Sequence, residues 1–351
     1  MHTKNIIKSI VVLSFASQFA KAQDTHFSLY SEIGSAINPA LSGVQYDTKV
    51  TANFRTQWGS VSKSYQTIGL SYEQAIGHKK LKGQYFSVAF NIFRDQAGDA
   101  KLSLLNPNLG ICYLRKISKT FKASAGFQGG FNYKTINTDN LKWDKQYDGF
   151  AYDPNLPSGE TPPRSAITSY DLGAGVNFSY AKNEKLFISV KEGNKFNVGL
   201  SAYHFGVPLN SFIINTEKLY TRTCFYMNGD FNIPGSKQSV MPSFLYMRQG
   251  TSSEFIVGAM YKFILVDQSL FTGIKKPAAF ALGGQYRYKD AVIPSLLFQY
   301  DKYAFGLSYD INVSALTPAS KRFGGIEFML RYNMTPGYGK NLGRSDTKSS
   351  Y

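Results

Sequence analysis

The sequence predicts an all-β fold of the outer-membrane type, a transmembrane antiparallel β-barrel of about fourteen strands. Three observations carry this. From Tyr303 to Val313 the residues alternate without a break: Tyr303, Phe305, Leu307, Tyr309, Ile311 and Val313 are large and apolar, with Ala304, Gly306, Ser308, Asp310 and Asn312 between them. Successive side chains of a strand point to opposite faces, so such a run has one greasy face and one narrow, polar face. The greasy faces are rich in Phe and Tyr, which make up most of the 15% aromatic content. A soluble sandwich would fill that face mainly with aliphatic and β-branched residues, whereas lipid outside and a polar interior accommodate this pattern. Finally, no internal segment approaches the roughly 20 consecutive apolar residues that a membrane helix needs.

The N-terminus reads as a secretory signal peptide. Lys4 and Lys8 precede an apolar run from Ile10 to Ala20, and Ala20-Lys21-Ala22 forms an A-x-A site, which predicts residues 1–22 as a cleaved leader. No Cys follows that site, so a lipid anchor is not expected. Gln23 to Asp47 holds Pro39 and lacks sustained alternation, and reads as an ordered lead-in or plug (residues 23–47), folded into or across the periplasmic mouth.

Residues 48–332 then divide into strand-like segments separated by turn residues: Thr48–Gln57, Tyr65–Gln74, Gln84–Phe93, Ser103–Lys116, Thr120–Lys134, Thr168–Ser179, Lys195–His204, Lys218–Phe231, Val240–Arg248, Glu254–Lys262, Pro277–Tyr288, Val292–Tyr300, Tyr303–Val313 and Gly324–Tyr332. The fifth is the cleanest. Phe121, Ala123, Ala125, Phe127, Phe131 and Tyr133 share one face, and Lys122, Ser124, Gln128, Asn132 and Lys134 the other. The stretch Phe263–Lys276 could hold a further strand or a short interfacial helix. With both termini in the periplasm, the odd-numbered loops face outward, which suits loop five, Thr135 to Ile167, by far the longest. Alternation stops at Tyr332, and residues 333–351 form a Gly-, Lys- and Ser-rich tail, expected to be flexible and periplasmic.

Removing residues 1–22 takes away three lysines and no acid, leaving 36 basic against 23 acidic side chains. The bases are scattered over turns and strand ends, which reads as solvated rims and contacts with anionic lipid, not as a nucleic-acid surface. Cys112 and Cys224 lie on polar parities far apart in strand order, too far for a disulfide, and are expected as free thiols.

Catalytic chemistry finds little support. Of the four histidines, His204 alone falls where a barrel hydrolase would keep a base, but it lies on the apolar parity beside Tyr203 and Phe205 and reads as an aromatic-belt residue. His2, His26 and His78 fall in the leader, the lead-in and an inner turn. No nucleophile elbow, Walker loop or dinucleotide fingerprint is present. Asp139, Asp144, Asp148, Asp153 and Glu160 in loop five do not have the spacing of a calcium-binding EF-hand, so neither metal nor cofactor is expected.

Polar-face charges say more. If the last strand closes against the first, Arg55, Asp310 and Glu327 come together in the outer half of the lumen, with Glu73 and Arg331 in the inner half. Charges in a narrow lumen persist when paired or solvated, and these read as a structural seam of salt bridges. Loop five mixes Trp143, Tyr147, Phe150 and Tyr152 with acids and a Pro-rich exit (Pro154, Pro157, Pro162, Pro163), and loop thirteen adds Lys321 and Arg322. Aromatics interleaved with charge suit a partner-binding surface, the plainer alternative being a lid over the lumen.

Several of these segments also carry a family resemblance. QDTHFSLY and INPALSG after the leader, NFRTQW at Asn53–Trp58, YRYKDAVIPSL at Tyr286–Leu296, and GLSYDINVSALTPAS with GGIEFMLRY across Gly306–Tyr332 resemble the PorP/SprF family of the type IX secretion system. The middle of the chain matches only in general pattern, and the tail beyond Tyr332 is longer than the family pattern requires. The resemblance implies an outer-membrane barrel without enzymatic activity. Its implied partners are a secreted adhesin with a type IX C-terminal targeting domain, periplasmic secretion components and outer-membrane lipid. A general porin or hydrophobic-solute channel is the alternative from another class, followed by a lipid hydrolase.

Overall fold

A computed structural model describes residues 24, 26–59, 63–77, 83–137, 141–159, 164–182, 194–207, 210–212, 218–267, 276–314 and 317–334. The expected leader, His2, His78, Asp139, Glu160, Pro162, Pro163 and all but the first two residues of the expected tail lie outside them.

Fourteen antiparallel strands close into one barrel, each beside its sequence neighbours, with the last returning to the first. They are β1 (Thr48–Gln57), β2 (Tyr65–Ile76), β3 (Gln84–Ala97), β4 (Leu102–Lys116), β5 (Phe121–Thr135), β6 (Ala166–Ala181), β7 (Lys195–Tyr203), β8 (Arg222–Asn232), β9 (Gln238–Gln249), β10 (Ser252–Val266), β11 (Ala278–Arg287), β12 (Ala291–Tyr300), β13 (Tyr303–Asn312) and β14 (Phe323–Met334). Closure leaves no sheet edge within the ring, as a membrane-spanning sheet requires. The β1–β14 seam places Arg55 opposite Glu327 and Asn53 opposite Met329.

The two parities separate as alternation demands. Phe54, Leu70, Phe90, Ile111, Phe127, Leu200 and Phe305 project outward and are exposed, while Thr51, Asn53, Arg55, Ser87, Asn91, Gln128 and Ser308 are buried toward the lumen. The expected segments correspond one for one to the strands, with shifted ends. β3 runs four residues further, and β8 starts at Arg222 instead of Lys218. β10 continues through Phe263 to Val266, and residues 268–275 lie outside the described set. Cys112 and Cys224 are free and buried, on β4 and β8.

The lumen is filled by residues 26–44, hereafter the strap. The strap contains short helical turns at Tyr30–Glu32, Gly34–Ile37 and Pro39–Leu41, and Asn38 caps the last by accepting the Ala40 amide. Such compact turns satisfy backbone groups locally where no strand partner is available. Three apolar patches on the inner wall receive it: Tyr30 packs with Tyr203, Tyr226 and Leu245; Leu29 with Leu297, Ala304 and Met329; Ala40 and Val44 with Tyr85, Cys112 and Leu114.

Candidate functional site

The strap runs the length of the lumen, and its polar anchors show the direction. At one end Asp24 lies beside Arg222, at the start of β8, and His204, just past the end of β7. At the other, Tyr85 near the start of β3 donates to the Gly43 carbonyl at 3.2 Å. The strap thus begins near the mouth where loop five emerges and ends near the opposite mouth, where β1 starts.

Its first anchor is a charged cluster drawn from β1, β10, β11, β13 and β14. Glu327 accepts the amides of Ser28 at 2.6 Å and Leu29 at 3.2 Å, and also Asn53 Nδ2 at 3.3 Å. Asp310 accepts Ser28 Oγ at 2.7 Å and pairs with Arg55 at 2.6 Å and Arg287 at 2.9 Å. Arg55 also donates to the His26 carbonyl at 2.6 Å, and Arg287 lies 3.3 Å from Glu254. Arg55, Asp310 and Glu327 therefore do come together. Arg55 pairs with Asp310 instead of its cross-strand neighbour Glu327, which is committed to the strap. Buried charges with this many partners hold a geometry firmly, because removing one strands the others. Arg287 and Glu254 escaped sequence reasoning, although each carries a charge on a polar parity, the same signal that marked Arg55.

Glu73 and Arg331 lie lower and apart from that cluster. Arg331 pairs with Glu32 of the strap, and Glu73 lies 3.6 Å from Lys49 and accepts the Gly43 amide at 3.4 Å. Between the two ends, Asn38 Nδ2 donates to the carbonyls of Val176 and Leu200 at 2.9 and 3.1 Å, and Ser124 donates to the Ala40 carbonyl at 2.6 Å. Wall glycines make this close approach possible. A Cβ at Gly126 would sit 2.4 Å from the Pro39 carbonyl carbon, and one at Gly175 would sit 2.2 Å from Asn38 Oδ1.

His204 corrects the aromatic-belt reading. Its φ of +64° breaks the strand parity, so the ring turns into the lumen and only 4% of the residue is exposed. Nδ1 lies 2.8 Å from Asp171 Oδ1, and Nε2 lies 2.5 Å from Asp24 Oδ2. Burial alone would lower the imidazole pKa, but these two carboxylates outweigh it and hold the pKa at about 9. Arg222 at 3.0 Å and Gln249 at 3.2 Å complete the clamp on Asp24. Among the described residues both ring nitrogens of His204 are taken by carboxylates, which leaves neither to activate a nucleophile. Beside this clamp, between strap and wall, lies a cavity of about 70 Å³. Its lining includes His26, Tyr30, Asn108, Gln128, Asn132 and Tyr203, each with a buried polar atom lacking a hydrogen-bond partner. These polar atoms, set in a lining otherwise largely apolar, could be satisfied by a few ordered waters in a space of that volume.

Outside the lumen, loop five forms a compact hairpin. Tyr147 and Tyr152 pair in an isolated bridge, and Asp148 Oδ1 accepts the amides of Phe150 and Ala151, both at 2.7 Å. Those two bonds hold the Asp148 carboxyl below the usual carboxylate range and present Phe150 at the tip, 94% exposed. Lys142 lies over the Tyr152 ring at 4.9 Å, and Trp143 precedes the turn Asp144–Gln146. Lys321 and Arg322 occupy a separate left-handed turn before β14, with φ of +50° and +69°. The described contacts tie loop five to the loop after β7: Arg164 donates to the Phe212 carbonyl at 3.3 Å, and Lys134 of β5 bonds Asn210. Among the described residues no three His, Cys, Asp or Glu side chains are grouped to hold a metal.

A closed barrel with an aromatic, lipid-facing outer surface and a filled polar interior defines a protein of the bacterial outer membrane. The model of the type IX secretion system membrane protein PorP/SprF matches residues 19–332, and the chain belongs to that family. No curated protein gives a significant sequence match. Solved structures share only the general architecture. The CymD monoaromatic hydrocarbon channel is 10% identical with a TM-score of 0.42, covering 87% of this chain and 93% of its own. BamA from Haemophilus ducreyi lacking POTRA domains 1–3 is 11% identical, TM-score 0.39, covering 82% and 70%. CdiB from Acinetobacter baumannii is 10% identical, TM-score 0.38, covering 82% of this chain, which spans 60% of that one.

Proposed function

We propose that this barrel is an accessory component of type IX secretion that holds or presents a secreted adhesin at the cell surface, and conducts neither polypeptide nor solute. The observation that supports this most is the strap, anchored by charged, polar and apolar contacts along the lumen and fitted against wall glycines. A translocation pore needs a clear or clearable path, and a segment with this many buried partners is costly to displace. The loop-five hairpin supplies an outward surface of the right chemistry. Exposed, preorganised aromatics bury large area at little entropic cost, and charge beside them selects the partner. Trp143, Tyr147, Phe150 and Tyr152 form that contact surface, with Lys321 and Arg322 adding cations across the mouth. Periplasmic secretion components meet the opposite mouth.

The test exchanges Trp143–Asp153 for a Gly/Ser linker in the native host. Adhesin at the cell surface should fall while barrel abundance and heat-modifiable migration stay normal. Undiminished display would overturn the docking role of this loop. The porin reading is tested by single-channel recording, in which sustained ohmic conductance of the unaltered barrel would restore it.

A further inference from the structure

The lipid-facing wall carries a groove of about 750 Å³, and the strand register shows its course. Phe127, Ala174, Ala202, Thr223 and Arg248 lie directly across from one another on β5 to β9, in a single outward-facing row. The row beside it, toward the periplasm, holds Val176, Leu200, Phe225 and Tyr246. Ala174 and Ala202 therefore form a low floor beside a bulky flank, and both rows line the groove. Phe127 and Ala174 lie midway along β5 and β6, whereas Thr223 and Arg248 are each one residue inside the outer ends of β8 and β9. Strands tilted by about 45° make a cross-strand row climb the wall as it crosses it. Four strand spacings give a run of roughly 19 Å. The groove thus descends from the outer rim to the mid-plane, about half of the ~30 Å hydrocarbon core.

A charge stands at its upper end. Arg248 is exposed on the outer face, with the exposed hydroxyl residues Thr223 and Ser253 across from it on β8 and β10. Its Nε donates to the Gly250 carbonyl at 3.4 Å, which leaves the two terminal nitrogens of the guanidinium available. The lumen arginines Arg55, Arg222, Arg287 and Arg331 each have a carboxylate partner. Among the described residues Arg248 has none. A cation facing lipid without a protein counter-charge is stabilised by an anionic head group, and a guanidinium fork matches phosphate at two points.

We infer that this groove is a binding site for a phosphorylated lipid of the outer leaflet, with an acyl chain along Ala174 and Ala202 and the phosphate on Arg248. Three features select that occupant. The groove lies within hydrocarbon, where an unfilled surface forfeits dispersion contacts and an apolar chain restores them. Its run matches the depth of one leaflet, so a chain anchored at the rim reaches the mid-plane. Its single unmatched charge sits at the rim end, where a lipid carries its phosphate. The inference rests on the outer-membrane setting and is independent of the adhesin role.

Two measurements on the full barrel test it, with lipid A as the probe. In native mass spectrometry of the detergent-solubilised barrel, one copy of lipid A should be held more tightly than any further copy. Arg248→Gln and Ala202→Phe should each weaken that copy about tenfold, the scale of one charge-assisted contact. Arg94→Gln, at an exposed arginine toward the outer end of β3, should leave it unchanged. Removing the phosphates from the probe should weaken binding similarly and abolish the effect of Arg248→Gln. No preferred copy, or an equal loss from Arg94→Gln, would mean general attraction of anionic lipid to the rim and would overturn the site. In nanodiscs, lipid A with a photoreactive group midway along an acyl chain should label the unaltered barrel around Ala174 and Ala202. Labelling spread evenly over the wall would indicate ordinary boundary lipid and overturn the inference even if no variant folds. Barrel-to-barrel cross-links through Ala202→Cys would assign the groove to a second copy and overturn it as well.

Discussion

Glu327 on the last strand accepts the backbone amide of Ser28, 299 residues earlier, at 2.6 Å. The same carboxylate accepts Leu29 N–H and, from the first strand, Asn53 Nδ2. One side chain thus joins the two strands that close the barrel to the segment that fills it. Closing the ring and seating the strap are coupled events.

That coupling predicts the behaviour of Glu327→Ala. Three donors lose their acceptor, and Arg55 and Arg287 keep Asp310, Glu254 and Asp290 as counter-charges. Breaking a buried charged network by one member costs about 3–5 kcal/mol. The variant should show a lower unfolding midpoint in lipid and protease cleavage within residues 26–44. An unchanged midpoint with a protected strap would show that the seam closes independently of it.

The second prediction concerns the strap's seat. Gly126 faces the Pro39 carbonyl group so closely that any side chain there must displace backbone. Gly126→Val should leave strand pairing intact, since β5 is held on both sides, but lift the strap from the wall. Single-channel conductance should rise from near zero to a measurable, stepwise current. A silent barrel that still folds would mean the strap finds another seat.

A third prediction follows from the clamp on Asp24. The His204 pKa is raised from 6.5 to about 9, so the cation is better stabilised in the folded state. The clamp's contribution is complete below the unfolded value of 6.5 and is lost as pH rises through about 9. Protease susceptibility of the strap's first residues should therefore increase between pH 8 and 10, a range set by that pKa. His204→Gln should abolish this rise, because the side chain no longer titrates. A pH profile identical in both proteins would assign the transition to another group.

These features were not equally legible in the sequence. All fourteen strands were, because lipid outside and a polar lumen force a period of two that survives in every segment. The Arg55–Asp310 pair was also legible, since closure of the ring follows from antiparallel order and parity then places both inside. The strap's path was not. Residues 26–44 have no periodicity, and their partners are single atoms such as the Val176 carbonyl or the missing Cβ of Gly126. His204 was misplaced because parity holds only while φ stays extended, and one left-handed residue cancels it.

The fourth prediction tests the orientation of the barrel wall itself. Phe127 is 54% exposed on the outer face, and its neighbour Gln128 is 6% exposed and lines the lumen cavity. Phe127 lies midway along β5, near the centre of the hydrocarbon layer. An arginine there must be dragged into lipid, at about 2–4 kcal/mol. Gln128→Glu instead places its charge beside the amides of Asn108 and Asn132 and a space large enough for water, where solvation and hydrogen bonds offset much of the burial cost. Folded yield in lipid should fall steeply for Phe127→Arg and mildly for Gln128→Glu, and Leu307→Arg should behave like the former. Equal losses at both parities would reject a lipid-facing outer surface, and with it the reading of the aromatic face on which every strand assignment rests.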